Sequence, residues 1–451
     1  MTSEQLSERS GQSVDTRTLI VLAFSATAGV MVEFYDFFLY GFAAASVFPT
    51  VFFPNLPPTQ ALVFSYLAFA AGFPARLLGA FIFGHFGDRT SRKYSFLINI
   101  LVVGVATFLT GLLPGYARLG IAAPVLLVVL RIVQGIGLGG EFGGASALLA
   151  EFGAKRRSRA FWMSLANLGI PLGAIAANAT VKIFSKTFNT TGWRIGMLLS
   201  AVIVIPALLA RYKLADSPLF ERLRQREQLA RMPSFSVFKK FAAPIILLAL
   251  VSAFQQMDGY VSGTYSISFM KFAGIPLETT ATILLISRFG DILGVILSGP
   301  WADLFKRRIV AYIAIACTTL LSYAYVRAIL DKQLMLMVIL QFLITFFGIG
   351  ILHGLAPILT AESFPTRFRY SGTGISYSLS AIFGGMIAPP VLAGLIGKDV
   401  AHKWHFVPIV YAVYCVVAML ALLFVRETRD VNIEELDRES VPDKQRAAAT
   451  P

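Results

Sequence analysis

The sequence predicts an all-α membrane protein: twelve transmembrane helices arranged as two pseudo-symmetric six-helix bundles. Three observations carry this prediction. Of the 451 residues, 56% are hydrophobic and only 14% charged, where a soluble domain averages about 25% charged, and mean hydropathy is +0.70. The apolar residues gather into twelve continuous runs with charge at their ends. A charged turn in the first half also returns 215 positions later in the second.

In order, a polar tail (1–17) without the features of a cleavable signal peptide leads into the first span, which is expected to stay as an anchor. Spans follow at 18–48, 61–87, 94–114, 122–151, 158–185 and 193–213, making an N-terminal bundle over 18–213. A cytoplasmic linker, 214–241, separates it from spans at 242–272, 278–302, 309–330, 333–361, 370–397 and 405–425. These form a C-terminal bundle over 242–427, and 428–451 is a charged cytoplasmic tail without sustained heptads. Each span exceeds the ~20 residues that cross ~30 Å of hydrocarbon. Continuous rather than alternating hydrophobicity selects helices over a barrel. In the linker, Asp216-Ser217-Pro218 stops the sixth helix. Glu221 to Arg231 reads either as an amphipathic helix on the headgroups or as solvated chain.

Net charge is +14 with a pI near 9.8. The cations sit in short clusters between apolar runs, so they report topology rather than a nucleic-acid partner. Alternate loops carry 20 Lys and Arg against 8 on the other side. The richer side, with both tails, is expected to be cytoplasmic, in a cell (inner) membrane. Cys317 and Cys415 both lie in apolar segments and suggest neither a disulfide framework nor a metal site.

The repeated turn pairs Gly79, Gly84, Asp88, Arg92 and Lys93 with Gly294, Gly299, Asp303, Arg307 and Arg308. Glycines allow close helix approach, and the acid followed by a cationic pair pins a short turn at the membrane surface. The stretch Gly84-His85-Phe86-Gly87-Asp88-Arg89-Thr90-Ser91-Arg92-Lys93 resembles the loop signature of the major facilitator superfamily, with Ser91 where that family usually has glycine. Four more stretches resemble its metabolite:proton symporters: Glu33 to Phe37, Arg131 to Gly135, Gly139 to Gly144, and Ala361 to Arg367. The resemblance implies two six-helix bundles that rock about a central site.

Ionisable residues inside hydrocarbon are costly unless paired or hydrated, so each asks for a function. Glu33 and Asp36 share one face of the first helix, and Arg131 lies deep in the fourth. A carboxylate–arginine couple that opens and closes is a workable proton switch, and the resemblance implies this role for Asp36 and Arg131. A static pair fixing helix contact is the alternative, and Glu33 is a candidate second proton site. Arg76 lies 12 residues before Asp88, as Asp291 does before Asp303. These two read either as an anion anchor at the repeat interface or as an ion pair with each other. Gln255 and Gln256, followed by Asp258 and Gly259, resemble the sugar-binding amides of sugar porters; helix–helix glue is the other reading. Arg288 is expected to partner Asp291 within its helix, and His353 to be a satisfied core histidine. An inner gate is expected from Asp88, Arg92, Glu141, Glu151, Arg159, Asp303, Arg307, Glu362 and Arg367.

The expected activity is therefore secondary active transport by alternating access, with a proton and a small polar metabolite, an organic acid first, carried together. A sugar or polyol symporter and a proton-driven exporter are the alternatives. No P-loop supports ATP drive. An intramembrane enzyme would need a nucleophile–base or metal cluster that His85, His353, His402 and His405 do not suggest. A solute sensor would call for a sizeable cytoplasmic domain. No cofactor beyond the proton is expected, no metal and no nucleic acid; the partners are the solute and the lipid bilayer, and the chain is expected to act as a monomer.

Overall fold

A computed structural model describes residues 16–89, 92–139, 159–212 and 233–429. Among these, every regular element is helical. The N-terminal half contains α1 (Thr16–Ser46), α2 (Pro58–Ala70 running on into Gly72–Arg89), α3 (Arg92–Leu112), α4 (Ala122–Leu138), α5 (Arg159–Leu165 continuing into Gly169–Ile183) and α6 (Trp193–Tyr212). The C-terminal half contains α7 (Ala242–Phe272), α8 (Leu277–Leu304), α9 (Arg307–Leu330), α10 (Leu334–Ala361), α11 (Thr366–Ala381 continuing to Ala388–Ile396) and α12 (Phe406–Phe424). Among the described residues twelve helices follow the twelve apolar runs in order; nine are long and apolar enough to cross a membrane, and Leu97–Leu112 and Ala122–Leu138 are shorter apolar helices. The fourth is described only to Leu138, short of the expected 151. Most of the expected linker, including 221–231, lies outside the described residues; its end is a short helix, Pro233–Lys240, that carries Lys239 and Lys240 in its last turn.

The duplication is built into the packing. In the N-terminal half, α1 meets α5 where Gly169 and Gly173 face the backbone at Thr27 and Met31. There α2 meets α4 through Gly79, Gly135 and Gly139. The other half repeats both seams: α7 meets α11 where Gly384 faces Ala253, and α8 meets α10 through Gly294, Gly350 and Gly354. A methyl group on Gly79 or Gly294 would collide with the facing carbonyl of Ile136 or Phe346. Hydrocarbon offers helices no hydrophobic reason to associate, so this close backbone contact supplies the attraction.

The outer surface follows the same logic. Leu320, Met335 and Phe424 are 77%, 74% and 74% exposed, a pattern that water would penalise and acyl chains would not. Polar and charged side chains turn inward instead. The two halves touch along α2–α11 and α5–α8, which are equivalent pairs under the repeat. Three π turns, Val261–Tyr265 in α7, Thr345–Ile351 in α10 and Ile382–Met386 in α11, loosen the C-terminal helices near mid-membrane, a feature common at functional sites.

Candidate functional site

Asp36 is fully buried on α1. It does not meet Arg131 directly. The Thr107 hydroxyl on α3 donates to Asp36 Oδ2 at 2.8 Å, the Gln134 amide on α4 donates to Thr107 Oγ1 at 2.8 Å, and Arg131 Nη1 donates to Gln134 Oε1 at 2.5 Å. The expected contact pair is therefore a four-residue relay. Thr107 is its swivel, because its one hydrogen can go to Asp36 or to Val103 O, 3.0 Å away. Arg131 is held by neutral groups. Its Nε donates to Phe69 O at 3.0 Å, and its guanidinium sits 4.5 Å from the ring centres of Tyr40 and Phe69 and 4.9 Å from that of Phe37. A desolvated cation–π contact contributes about 2 kcal/mol. Gly72 makes the space, since a methyl there would lie 3.0 Å from Arg131 Nε.

Glu33 and Arg76 form the direct pair, Nη2 to Oε1 at 2.9 Å, with both side chains about 95% buried. Here the structure corrects one reading of the sequence. Arg76 does not pair with Asp291, because Glu33 on the adjoining α1 already occupies it and Asp291 turns to Arg288 on its own helix, 3.6 Å away. Across the bundle interface, Arg76 lies 5.1 Å from the ring centre of Tyr377 on α11, and Gln256 on α7 faces the Tyr377 hydroxyl. Tyr260, four residues further along α7, packs 5.1 Å from both Phe37 and Phe73, joining the halves through an aromatic layer. Gly385 yields the room for that ring.

Gln255 and Gln256 are both buried, and the amide nitrogen of each lacks a hydrogen-bond partner. Buried donors are nearly always paired, so the orphaned Gln256 amide beside Tyr377 and Arg76 marks a place where a polar guest fits. Asp258 lies elsewhere. It accepts a 2.6 Å hydrogen bond from Tyr411 on α12 and packs against Gly348 and Thr318, inside its own half rather than at the interface.

Described residues of the two halves meet toward both ends of the interface. At the end bearing the repeated turn, α8 packs onto α5 so closely that a methyl on Gly299 would lie 2.5 Å from Phe161 Cα, and Asn167 donates to His353 O at 2.5 Å. Nearby, Arg307 meets Asp303 at 3.6 Å and Glu362 at 3.4 Å, so these three expected gate residues cluster. Glu141 and Glu151 lie outside the described residues, as do the side chains of Asp88, Arg92, Arg159 and Arg367. At the opposite end, Tyr66 and Ser268 share a 2.8 Å hydrogen bond and Lys271 reaches Ser46 O at 3.4 Å.

Sequence reasoning missed Thr107, Tyr260, Tyr377, Tyr411 and Gln134. Only Gln134 left a readable signal, three residues after Arg131 and hence on the same face. The tyrosines and Thr107 are common apolar-helix residues whose roles come from partners on other helices.

Comparison with known proteins agrees with this architecture. The profile described as "Sugar (and other) transporter" matches residues 21–240, and "Major Facilitator Superfamily" matches 248–449. The chain is 34% identical over 426 residues to the inner membrane metabolite transport protein YhjE of Escherichia coli (strain K12), covering 92% of this chain and 96% of that one. It is 31% identical over 423 residues to the shikimate transporter of the same organism, with 90% and 94% covered. A crystal structure of a D-xylose-proton symporter superposes with a TM-score of 0.69 at 20% identity, covering 91% of this chain and 98% of that one, a likeness of fold. The chain belongs to the major facilitator superfamily, as a multi-pass membrane transporter of the metabolite:proton symporter type.

Proposed function

We propose that this transporter imports a small organic acid together with a proton, using Asp36 to carry the proton and Arg76 to hold the acid. The observation that carries the coupling is the Asp36–Thr107–Gln134–Arg131 relay, which joins a buried acid to a buried cation without letting them neutralise each other. A charge in that position biases one bundle orientation, and a ligand moves the balance by its differential affinity for the two. In the substrate layer, the Arg76 fork would take a carboxylate from the solute in exchange for, or alongside, Glu33. The free amides of Gln255 and Gln256 would take its hydroxyls or carbonyl oxygens. Aromatic rings of Phe37, Phe73 and Tyr260 close around the apolar part.

The relative named a shikimate transporter supports this class, since shikimate offers a carboxylate and hydroxyls to one site. A second reading, a sugar or polyol symporter, rests on the same two orphaned amides. Asp291, paired with Arg288, supports the wall of the site rather than touching solute. The protein works as a monomer in an inner membrane with both tails cytoplasmic, and the proton is the only coupling species. Asp303, Arg307 and Glu362 latch the cytoplasmic end.

The deciding experiment is a solute panel in proteoliposomes with an imposed pH gradient, organic acids against polyols, run beside Asp36→Asn. Acids should accumulate in the native protein and not in the variant. Accumulation by Asp36→Asn equal to the native protein would overturn the proton assignment, and accumulation of polyols alone would select the second reading.

A further inference from the structure

Among the described residues, the N-terminal half balances its buried membrane charges, Glu33 and Asp36 against Arg76 and Arg131. In the C-terminal half Glu362, Arg307 and Arg369 are buried together at the end bearing the basic turns, but the cluster deeper in the bundle is not balanced among the described residues. Asp258 and Asp291 are both fully buried, and Arg288 is the one buried cation beside them. A lone net charge buried in hydrocarbon is strongly unfavourable, so something positive belongs there.

The surroundings say what it is and how it arrives. Asp258, Ser262 and Ser266 fall four residues apart on one face of α7: Ser266 Oγ donates to Ser262 O at 2.6 Å and Ser262 Oγ to Asp258 O at 2.8 Å. A small cavity between α7, α9 and α12, walled mainly by apolar carbon with Ser262, Ser266, Ser322, Tyr325 and Tyr411 among its lining residues, reaches the level of Val407. Val407 is the second residue of α12, at the end away from the repeated basic turns; Tyr411 lies one helical turn deeper, about 6 Å. Tyr411 both lines the cavity and donates to Asp258 Oδ1 at 2.6 Å. Asp258 Oδ2 is completely buried and has no hydrogen-bond partner. Gly348 faces that oxygen, where any side chain would collide with it.

We propose that Asp258 is a second proton-binding site, loaded from the end of the bundle opposite the basic turns by way of this cavity and Tyr411. Its charged and titratable surroundings are Arg288 and Asp291 from α8, Tyr325 from α9, His353 from α10 and Tyr411 from α12. A proton on Asp258 leaves Arg288 and Asp291 as a neutral pair. Phe38 of α1 covers Arg288, 4.6 Å from its guanidinium, so the charge state of this cluster reaches the helix that carries Asp36. The site lies outside the substrate layer and goes beyond the coupling role given to Asp36.

Infrared difference spectroscopy of the full chain in lipid tests this without a transported solute. In sodium-free buffer the native protein should show the carbonyl stretch of a protonated carboxylic acid that is lost in Asp258→Asn and kept in Asp36→Asn. The band should shift in Tyr411→Phe, which removes one hydrogen bond and little volume. Filling the cavity with Ser322→Leu should slow its shift on transfer to heavy water. Persistence of every protonated-acid band in Asp258→Asn would overturn the proposal. So would loss of the Asp258 band on adding sodium at fixed pH, which would make the site a metal-cation site. If Asp258→Asn does not fold, an unshifted spectrum in Tyr411→Phe overturns it equally. None of these readouts depends on whether organic acids are carried or Asp36 couples them.

Discussion

Arg76 on α2 and Glu33 on α1 meet at 2.9 Å in the middle of the membrane, both closed off from solvent and both in the same half of the protein. The pair is local, and Arg76 also lies 5.1 Å from the ring centre of Tyr377 across the interface. Removing one member leaves the other charge buried alone, which costs about 3–5 kcal/mol. Arg76→Leu and Glu33→Gln should each lower the thermal unfolding temperature of the detergent-purified protein, because each strands a buried charge. The double variant should recover most of that loss while still failing to take up organic acids. A double variant no more stable than Arg76→Leu would show that the pair does not govern stability.

The relay predicts a separation of functions. Gln134→Leu keeps volume but cuts Arg131 from Thr107 and hence from Asp36. It also leaves Arg131 with Phe69 O and the rings of Tyr40, Phe69 and Phe37, enough to keep the side chain in place. Exchange of labelled for unlabelled solute should continue, while accumulation against a gradient falls several-fold. Measuring counterflow and gradient-driven uptake on the same vesicles checks this; parallel loss of both would mean that Gln134 only supports the helix.

Much of this fold was legible in the chain, for a physical reason. Hydrocarbon forces every spanning segment to be long, apolar and self-bonded, and the 215-residue offset that aligns Asp88 with Asp303 also aligns Gly79, Gly135 and Gly139 with Gly294, Gly350 and Gly354. The site was less legible. Charged residues announced themselves because they do not belong in lipid, which is how Glu33, Asp36, Arg76, Arg131, Asp258, Arg288 and Asp291 were found. Their partners were not readable from spacing alone. Arg76 and Asp291 hold corresponding positions in the repeat, yet each is closed by a nearer group. Asp258 follows Gln255 and Gln256, but the helix turns it toward Tyr411.

Beyond the last span, Glu427 reaches back to the start of α9. Its two carboxylate oxygens accept from the backbone amides of Arg307 and Arg308, at 3.1 and 3.2 Å. The first amides of a helix have no partner within it, and an acid at that end also meets the favourable pole of the helix dipole. Thr428 then donates to Glu362, tying the chain to the Arg307–Glu362 contact. Glu427→Ala should cost about 0.5–2 kcal/mol and appear first as faster hydrogen exchange at the opening turn of α9. Unchanged exchange there would show that water serves those amides as well as the carboxylate does.

The last prediction concerns the contact between the two halves at the basic end. Gly299 presses on Phe161 so closely that a methyl would lie 2.5 Å from its Cα and 2.8 Å from its nitrogen, and backbone cannot move aside as a side chain can. Gly299→Ala should therefore push α8 from α5 and open this end, whereas Gly259→Ala, with nothing within 4 Å, should be silent. Overpacking of this kind costs about 1–3 kcal/mol in the closed state, which shifts the open–closed balance by about five- to a hundredfold. In a background carrying Cys317→Ser and Cys415→Ser, a Trp162→Cys reporter on α5 should then react faster with a water-soluble maleimide. Equal rates in Gly299→Ala and Gly259→Ala would mean that the two helices separate elsewhere when the transporter opens.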